Sequence, residues 1–472
     1  MTTVEGPIPG VATSAFVGYD LPSLGYLEEE YFISGKAQSY ELVGERGGDG
    51  HWTVAPAAVA AYKTRVIVRR PSDPATFNGS VVVEWNNVSG GTDVEADWAA
   101  MHRQILRDGF AWVGVSAQKA GIDGGGLIDG FEIKRLAPER YAGLDHPGDA
   151  YSYDMFTQAA RLLRQPDGGG LLGPLVAERL IATGHSQSAA FLVTFVNAID
   201  PLVEAFDGFL VHGRGATGSN LDGWGLLPGP GEDVSDRETI RRRLMAHPER
   251  IRDDARVPVL ILQTETDVVR LGGGLARQPD SDRIRLWEIA GAAHADTYLL
   301  AVSRTDDGRL TPEEMAGLMA QSSGRPGFEM GAPMNSGPQQ HYVSHAALAG
   351  LDRWVRDGLA PPQSPWLQAS DDLQSLAVDD LGIARGGVRT PWVDVPVAAL
   401  SGLGQEGADV FSFLFGTTRT FSAEELERLY PGGRSSYLAK FEEALKDALA
   451  KSFLLDADSD EIRAVAAAGY PG

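Results

Sequence analysis

Cysteine is absent from the 472 residues, which excludes disulfides, thiolate metal sites and a cysteine nucleophile. No apolar run approaches the length that spans a bilayer. The opening residues Met1-Thr2-Thr3-Val4-Glu5-Gly6-Pro7 also lack a basic stretch followed by an apolar one, so a cytoplasmic location without a membrane partner is expected. Positive charge is scarce: 41 Lys plus Arg face 64 Asp plus Glu, and the net charge of −23 sets up a field that repels nucleic acid. The glycine runs 124–126, 168–170 and 272–274 lack both the G-x-G-x-x-G spacing and the Lys-Ser/Thr of phosphate loops, so no nucleotide cofactor is expected. Asp456-x-Asp458-x-Asp460 begins like a calcium loop, but Glu461 stands where that loop needs glycine and Ala467 where it needs Glu; it reads as a helix cap. There is no repeat at a fixed period and no long low-complexity tract.

What is present is an ordinary globular composition, 43% hydrophobic and 22% charged, on a chain long enough for a large core. Segments 26–35, 64–70, 80–85, 110–116, 180–182, 206–211, 257–263 and 283–289 read as strands. Between them, 97–107 and 153–163 read as amphipathic helices. Strands alternating with helices predict a mostly parallel sheet covered on both faces, with ligands beyond the carboxyl ends of the strands. A core over 1–360 is expected, with lid-like insertions near 213–255 and 297–340. The first insertion contains a charged helix over 235–245. A further helix is expected over 344–357, and 361–472 is read as a C-terminal extension forming a cap or packing layer, with helices near 424–429 and 436–452.

The stretch Ile181-Ala182-Thr183-Gly184-His185-Ser186-Gln187-Ser188-Ala189-Ala190 runs from a buried-type strand into a helix with only a sharp turn between. That is where a nucleophile elbow belongs. Its serine takes a strained backbone conformation, and its neighbours must be small. Gly184 and Ser188 meet that demand, although the usual G-x-S-x-G pattern has glycine where Ser188 stands. A serine hydroxyl needs a general base oriented by a carboxylate, and in elbow sites these follow in the order Ser, Asp or Glu, His on loops after later strands. Thr264-Glu265-Thr266-Asp267 follows one later strand and Ala290-Gly291-Ala292-Ala293-His294 the next. Ser186, Asp267 and His294 are therefore the candidate catalytic set. Alone, Asp267 reads as a turn residue and His294 as a surface histidine; three placements at three successive strand ends outweigh those readings. Glu265 is the alternative acid and His341 the alternative base.

The oxyanion of acyl transfer needs two preorganised N–H donors. Gln187, directly after the nucleophile, supplies one, and Asn87 in the Asn86–Gly91 loop is chosen for the other. His341 and His345 have the i, i+4 spacing of zinc ligands, but no Glu stands between them, so no metal is expected. His185 reads as structural. Trp85, Trp224 and Trp392 point to an apolar or aromatic pocket, with buried core as the competing reading.

With these residues assembled, the chain resembles the α/β-hydrolases, and more narrowly a family of long bacterial α/β-hydrolase-domain proteins. The resemblance rests on the segments 26–32, 83–91, 113–118 and 384–389 together with the elbow, and spans nearly the whole chain. It implies an α/β-hydrolase fold, and the candidate set within that fold is read as a serine hydrolase acting on small-molecule carboxylic esters through an acyl-enzyme, without cofactor. The same fold hosts acyltransferases, lyases and non-catalytic ligand-binding proteins, which stand as alternatives.

Overall fold

The computed structural model describes residues 2–126, 130–166, 168–223, 242–243, 245–320, 330–406 and 411–471. Nine strands form one sheet in the order β1-β2-β3-β5-β4-β6-β7-β8-β9. These are β1 (Thr3–Glu5), β2 (Tyr26–Leu42), β3 (Val54–Pro71), β4 (Ser80–Trp85), β5 (Ala111–Val115), β6 (Arg179–His185), β7 (Gly208–His212), β8 (Val259–Thr264) and β9 (Ile284–Ile289). The first three and the β3–β5 pair are antiparallel; every pairing from β5 to β9 is parallel. All residues of β4 are buried, as a strand covered on both faces requires.

The two faces carry separate apolar layers. One packs helix α1 (Ala96–Arg107) against the sheet. The other packs helix α2 (Ser152–Leu163) and helix α3 (Gln187–Thr194), with Phe156, Phe191 and Phe206 at its centre. The chain leaves β4 for β5 on one side and β6 lies on the other. The loops after β4 and β6 therefore part at a topological switch point, which is where an open sheet leaves a crevice.

The hairpin of β2 and β3 is longer than the sequence suggested. Residues 54–63 are alanine-rich and include Pro56, a poor strand signal; they are held by pairing with β2, for example Lys36 with Ala61 and Tyr40 with Pro56. The helix expected over 344–357 begins earlier, at Gln339, and is labelled α5 after the short α4 (Glu265–Val269). Its first residues Gln339, Gln340 and His341 are polar yet buried, so apolar periodicity does not reveal them. The helix expected over 235–245 falls almost wholly outside the described residues, as does Trp224.

The C-terminal extension adds helix α6 (Gly433–Ala450) and helix α7 (Ser459–Ala468) to the α1 face. Tyr437, Phe441 and Leu445 share an apolar layer with Tyr342, Leu348 and Leu351 of α5. Val388 N–H donates to Glu288 O and Val388 O accepts from Ala290 N–H, so the extension also runs alongside β9. Strands β10 (Ala398–Ser401) and β11 (Thr417–Thr420), which the sequence did not suggest, pair beside it. Asp458 sits at the start of α7, but its carboxylate pairs with Arg107 at 2.6 Å and His345 at 3.0 Å and does not cap the helix. No described helix is long and apolar enough to cross a membrane.

Candidate active site

Ser186 stands between β6 and α3 with φ 65 and ψ −119. A non-glycine residue reaches that region only when its surroundings impose it, at a cost of about 1–3 kcal/mol. The imposing contacts are visible. Ser186 N–H donates to His212 O at 2.9 Å, tying the turn to β7. The Asn87 side-chain amide donates to His185 O at 2.9 Å, tying it to the loop after β4. A Cβ on Gly184 would lie 3.0 Å from Ser188 Cβ, so helix and strand approach closely here and a side chain at 184 would have to push Ser188 aside.

His294 comes from the loop after β9, and Asp267 from α4, which follows β8 directly. Asp267 Oδ1 lies 2.6 Å from His294 Nδ1. Its other oxygen accepts from the Thr264 backbone N–H at 2.7 Å and the Thr264 hydroxyl at 2.8 Å, which fixes the carboxylate as part of the capping box of α4. With Nδ1 bonded to a carboxylate, Nε2 is the imidazole atom left to exchange a proton with a nucleophile. Ser186 and His294 line one cavity of about 920 Å³, at the upper end of the range for small-molecule pockets.

Glu265 is placed elsewhere. Its oxygens accept from Gly291 N–H at 2.6 Å, Gly402 N–H at 2.8 Å and the Ser401 hydroxyl at 2.9 Å, stitching α4 to the C-terminal extension. Burial raises its pKa above the usual carboxylate value. As the alternative acid it is therefore corrected, since both oxygens face away to other donors while Asp267 faces His294. His341 is also corrected as alternative base. It is buried between α1 and α5, its Nδ1 is 2.8 Å from Ala100 O, and its ring stacks on Tyr298 at 3.8 Å. Burial, with His345 and His102 nearby, holds its pKa well below the ordinary value.

Gln187 N–H opens α3 directly after Ser186, at the positive end of the helix dipole. Asn87 is corrected as the second oxyanion donor. Its backbone N–H donates to Val94 O at 2.9 Å and its side chain to His185 O, so it braces the elbow. The next residue, Val88, has a backbone N–H whose acceptor, Gln187 Oε1, is distant at 3.4 Å.

The tryptophans are mostly core. Trp85 is fully buried against Phe191 and Phe156, and Trp392 stacks on Tyr342; neither lines the cavity. The residues that do line it include Phe413 and Leu414 from the C-terminal extension and His247 and Glu249 from the first insertion. Among the described residues, His51, Asp253 and Asp254 form an exposed cluster of metal-ligating type. Arg252 already holds Asp254 by two hydrogen bonds, and the two nitrogens of His51 face different carboxylates.

The sequence matches the family described as alpha/beta hydrolase domain over residues 4–464. The chain belongs to that family. A mostly parallel sheet with a strained serine at the switch point is the alpha/beta hydrolase architecture, and the C-terminal extension lies within the matched span. No curated protein matches the chain. Similar solved structures include an esterase from Rhizomucor miehei, at 14% identity over 56% of this chain and 78% of that one, with a TM-score of 0.28. Another is the esterase Est22, at 13% identity over 57% and 73% of the two chains, with a TM-score of 0.31. A glucuronoyl esterase from Solibacter usitatus is similar at 12% identity over 56% and 76%, with a TM-score of 0.28. The family assignment rests on the sequence match and not on these likenesses.

Proposed function

We propose that this alpha/beta hydrolase is a serine carboxylic-ester hydrolase working through an acyl-enzyme. The observation that carries the reading is the strained φ of Ser186 in the same cavity as His294, whose Nδ1 is 2.6 Å from Asp267. Ser186 Oγ attacks the ester carbonyl carbon as His294 Nε2 takes its proton. The tetrahedral oxyanion is met by Gln187 N–H at the start of α3. Collapse breaks the C–O bond, and the proton on His294 passes to the departing alcohol. Water, deprotonated by the same imidazole, then attacks the acyl-enzyme and releases the acid. Asp267 orients His294 and favours the imidazolium that forms midway.

The substrate is a small molecule in this reading, because the cavity is a crevice at the strand ends. The net charge of −23 argues against polyanionic partners. A fluorophosphonate probe tests the mechanism. It is expected to modify Ser186, and Ser186→Ala is expected to lose both labelling and hydrolysis of short aryl esters. Retained hydrolysis in Ser186→Ala overturns the proposal.

A further inference from the structure

The cavity has two unlike walls, and they rise over opposite faces of the sheet. On the α1 side stand Phe16, Ala295, Leu299, Leu300, Phe413 and Leu414. Four of them, Phe16, Ala295, Leu299 and Leu300, pack with Ala99 of α1, Met334 and Phe415 in one apolar cluster. This wall therefore continues the core into the cavity. It presents hydrocarbon to whatever lies beside Ser186.

On the α2 side stand Arg46, Thr217, Gly218, Asn220 and Glu249. Arg46 lies over the Trp52 ring at 4.2 Å, and Trp52 belongs to the apolar layer that includes α2. Arg46 and Glu249 neutralise each other, while Arg243 and His247 also line the cavity. Arg46 Nε donates to Glu249 Oε1 at 2.5 Å and Nη2 to Oε2 at 2.7 Å. The remaining guanidinium bonds go to Ser219 O, Asn220 Oδ1 and Gly218 O, so all five N–H groups have acceptors. Gly218 N–H adds a further bond to Glu249 at 2.6 Å. Arg46 has no donor left for an anionic group. The wall instead offers the Asn220 amide N–H₂, the Thr217 hydroxyl and the spare lone pairs of Glu249, an array that suits uncharged hydroxyl groups.

We propose that the cleft takes an uncharged amphiphilic ester, with one half hydrocarbon and the other bearing hydroxyl groups, either half supplying the acyl group. This deepens the ester hydrolase reading and rests on it. The bond that breaks lies where the two walls meet at Ser186. The apolar half is desolvated against Leu299 and Phe413, and the hydroxylated half exchanges water for Asn220, Thr217 and Glu249. A purely apolar ester leaves the polar wall unmatched, and a short polyol ester leaves the apolar wall wet.

The test compares kcat/KM for four esters: 1-monooctanoylglycerol, its mirror octyl glycerate, ethyl octanoate and glyceryl monoacetate. One of the two amphiphiles is expected to exceed both ethyl octanoate and glyceryl monoacetate by about tenfold or more, and which one also assigns the acyl side. Asn220→Leu is expected to lower the ratio of that amphiphile to ethyl octanoate. Leu299→Asn is expected to lower its ratio to glyceryl monoacetate. Ethyl octanoate or glyceryl monoacetate matching the amphiphiles overturns the substrate class, as do ratios unmoved by both variants. If p-nitrophenyl acetate is hydrolysed and fluorophosphonate labels Ser186 in that case, only the substrate class has failed. Absence of both signals is failure of the hydrolase reading itself.

Discussion

The imidazole of His294 stacks on that of His185, with ring centroids 4.5 Å apart and planes 28° from parallel. His185 in turn meets His212 edge-on at 4.5 Å, and His212 is anchored by Asp97 at 2.7 Å. His185 is fixed by its place at the end of β6, so it forms a rigid platform beneath the candidate base. Burial, then the neighbouring His212 and His294, hold its pKa well below the ordinary value, so it stays uncharged beside the imidazolium that the proposed mechanism forms on His294. Replacing His185 by Ala is expected to lower kcat about tenfold with KM little changed, through loss of base alignment. His185→Phe keeps a flat ring and is expected to retain most of the rate. Steady-state kinetics on a short aryl ester checks both.

Asp267 and Glu265 are separated by their partners, and mutation is expected to separate them by readout. Asp267→Asn leaves His294 without its carboxylate and is expected to reduce kcat/KM by roughly 10⁴-fold, with a small effect on unfolding. Glu265→Gln weakens three hydrogen bonds, two of them buried, that tie α4 to Gly291 of the β9 loop and to Ser401 and Gly402. It is expected to cost about 1–3 kcal/mol of stability and to leave turnover within a few-fold below the unfolding transition. Denaturant titration alongside kinetics decides; the reverse pattern would assign Glu265 as the acid.

The strain at Ser186 is measurable without activity. Ser186→Ala and Ser186→Gly both remove the hydroxyl, but only glycine accepts φ 65 with ψ −119 at low cost. Glycine gains more conformational entropy on unfolding, by up to about 1 kcal/mol, and this partly offsets the relief. Ser186→Gly is still expected to be more stable than Ser186→Ala, by roughly 1 kcal/mol, because the strain relieved exceeds the entropy gained on unfolding. Thermal unfolding of the pair reads the difference directly.

The buried His341 gives a pH dependence whose sign is fixed. Its folded pKa is lowered well below 6.5, so as pH falls below 6.5 the unfolded chain takes up a proton that the folded protein resists. Its contribution to stability is present above pH 6.5 and declines as pH falls toward the folded pKa. His341→Phe is expected to shallow the acid side of the stability curve between pH 6.5 and 5 relative to the unmutated protein. A variant curve parallel to the unmutated one across that interval would refute this.

Much of the fold was legible because β4 to β9 are short apolar runs and the intervening helices have a clear apolar face. The arm of β2 and β3 was only half legible, since 54–63 carry little strand signal and are held by register with β2. The strands β10 and β11 were missed for the same reason; their four-residue pairing depends on packing beside β9 and α4.

By itself the sequence determined the order of chemistry along the chain: a serine in a turn with small neighbours, then an acidic pair, then a histidine, each after a buried strand. Order follows from topology because parallel strands put their carboxyl ends at one edge of the sheet. Tertiary structure alone decided which of the acidic pair faces His294, because Asp267 and Glu265 differ by two positions on one helical turn and point to different neighbours. It also turned Asn87 from donor to brace, placed His341 in the core, and brought Phe413 from the far end of the chain to the cavity of Ser186. These are facts of direction and distance. Side-chain identity limits what a residue can bond, and only the packed neighbours select which bond is made.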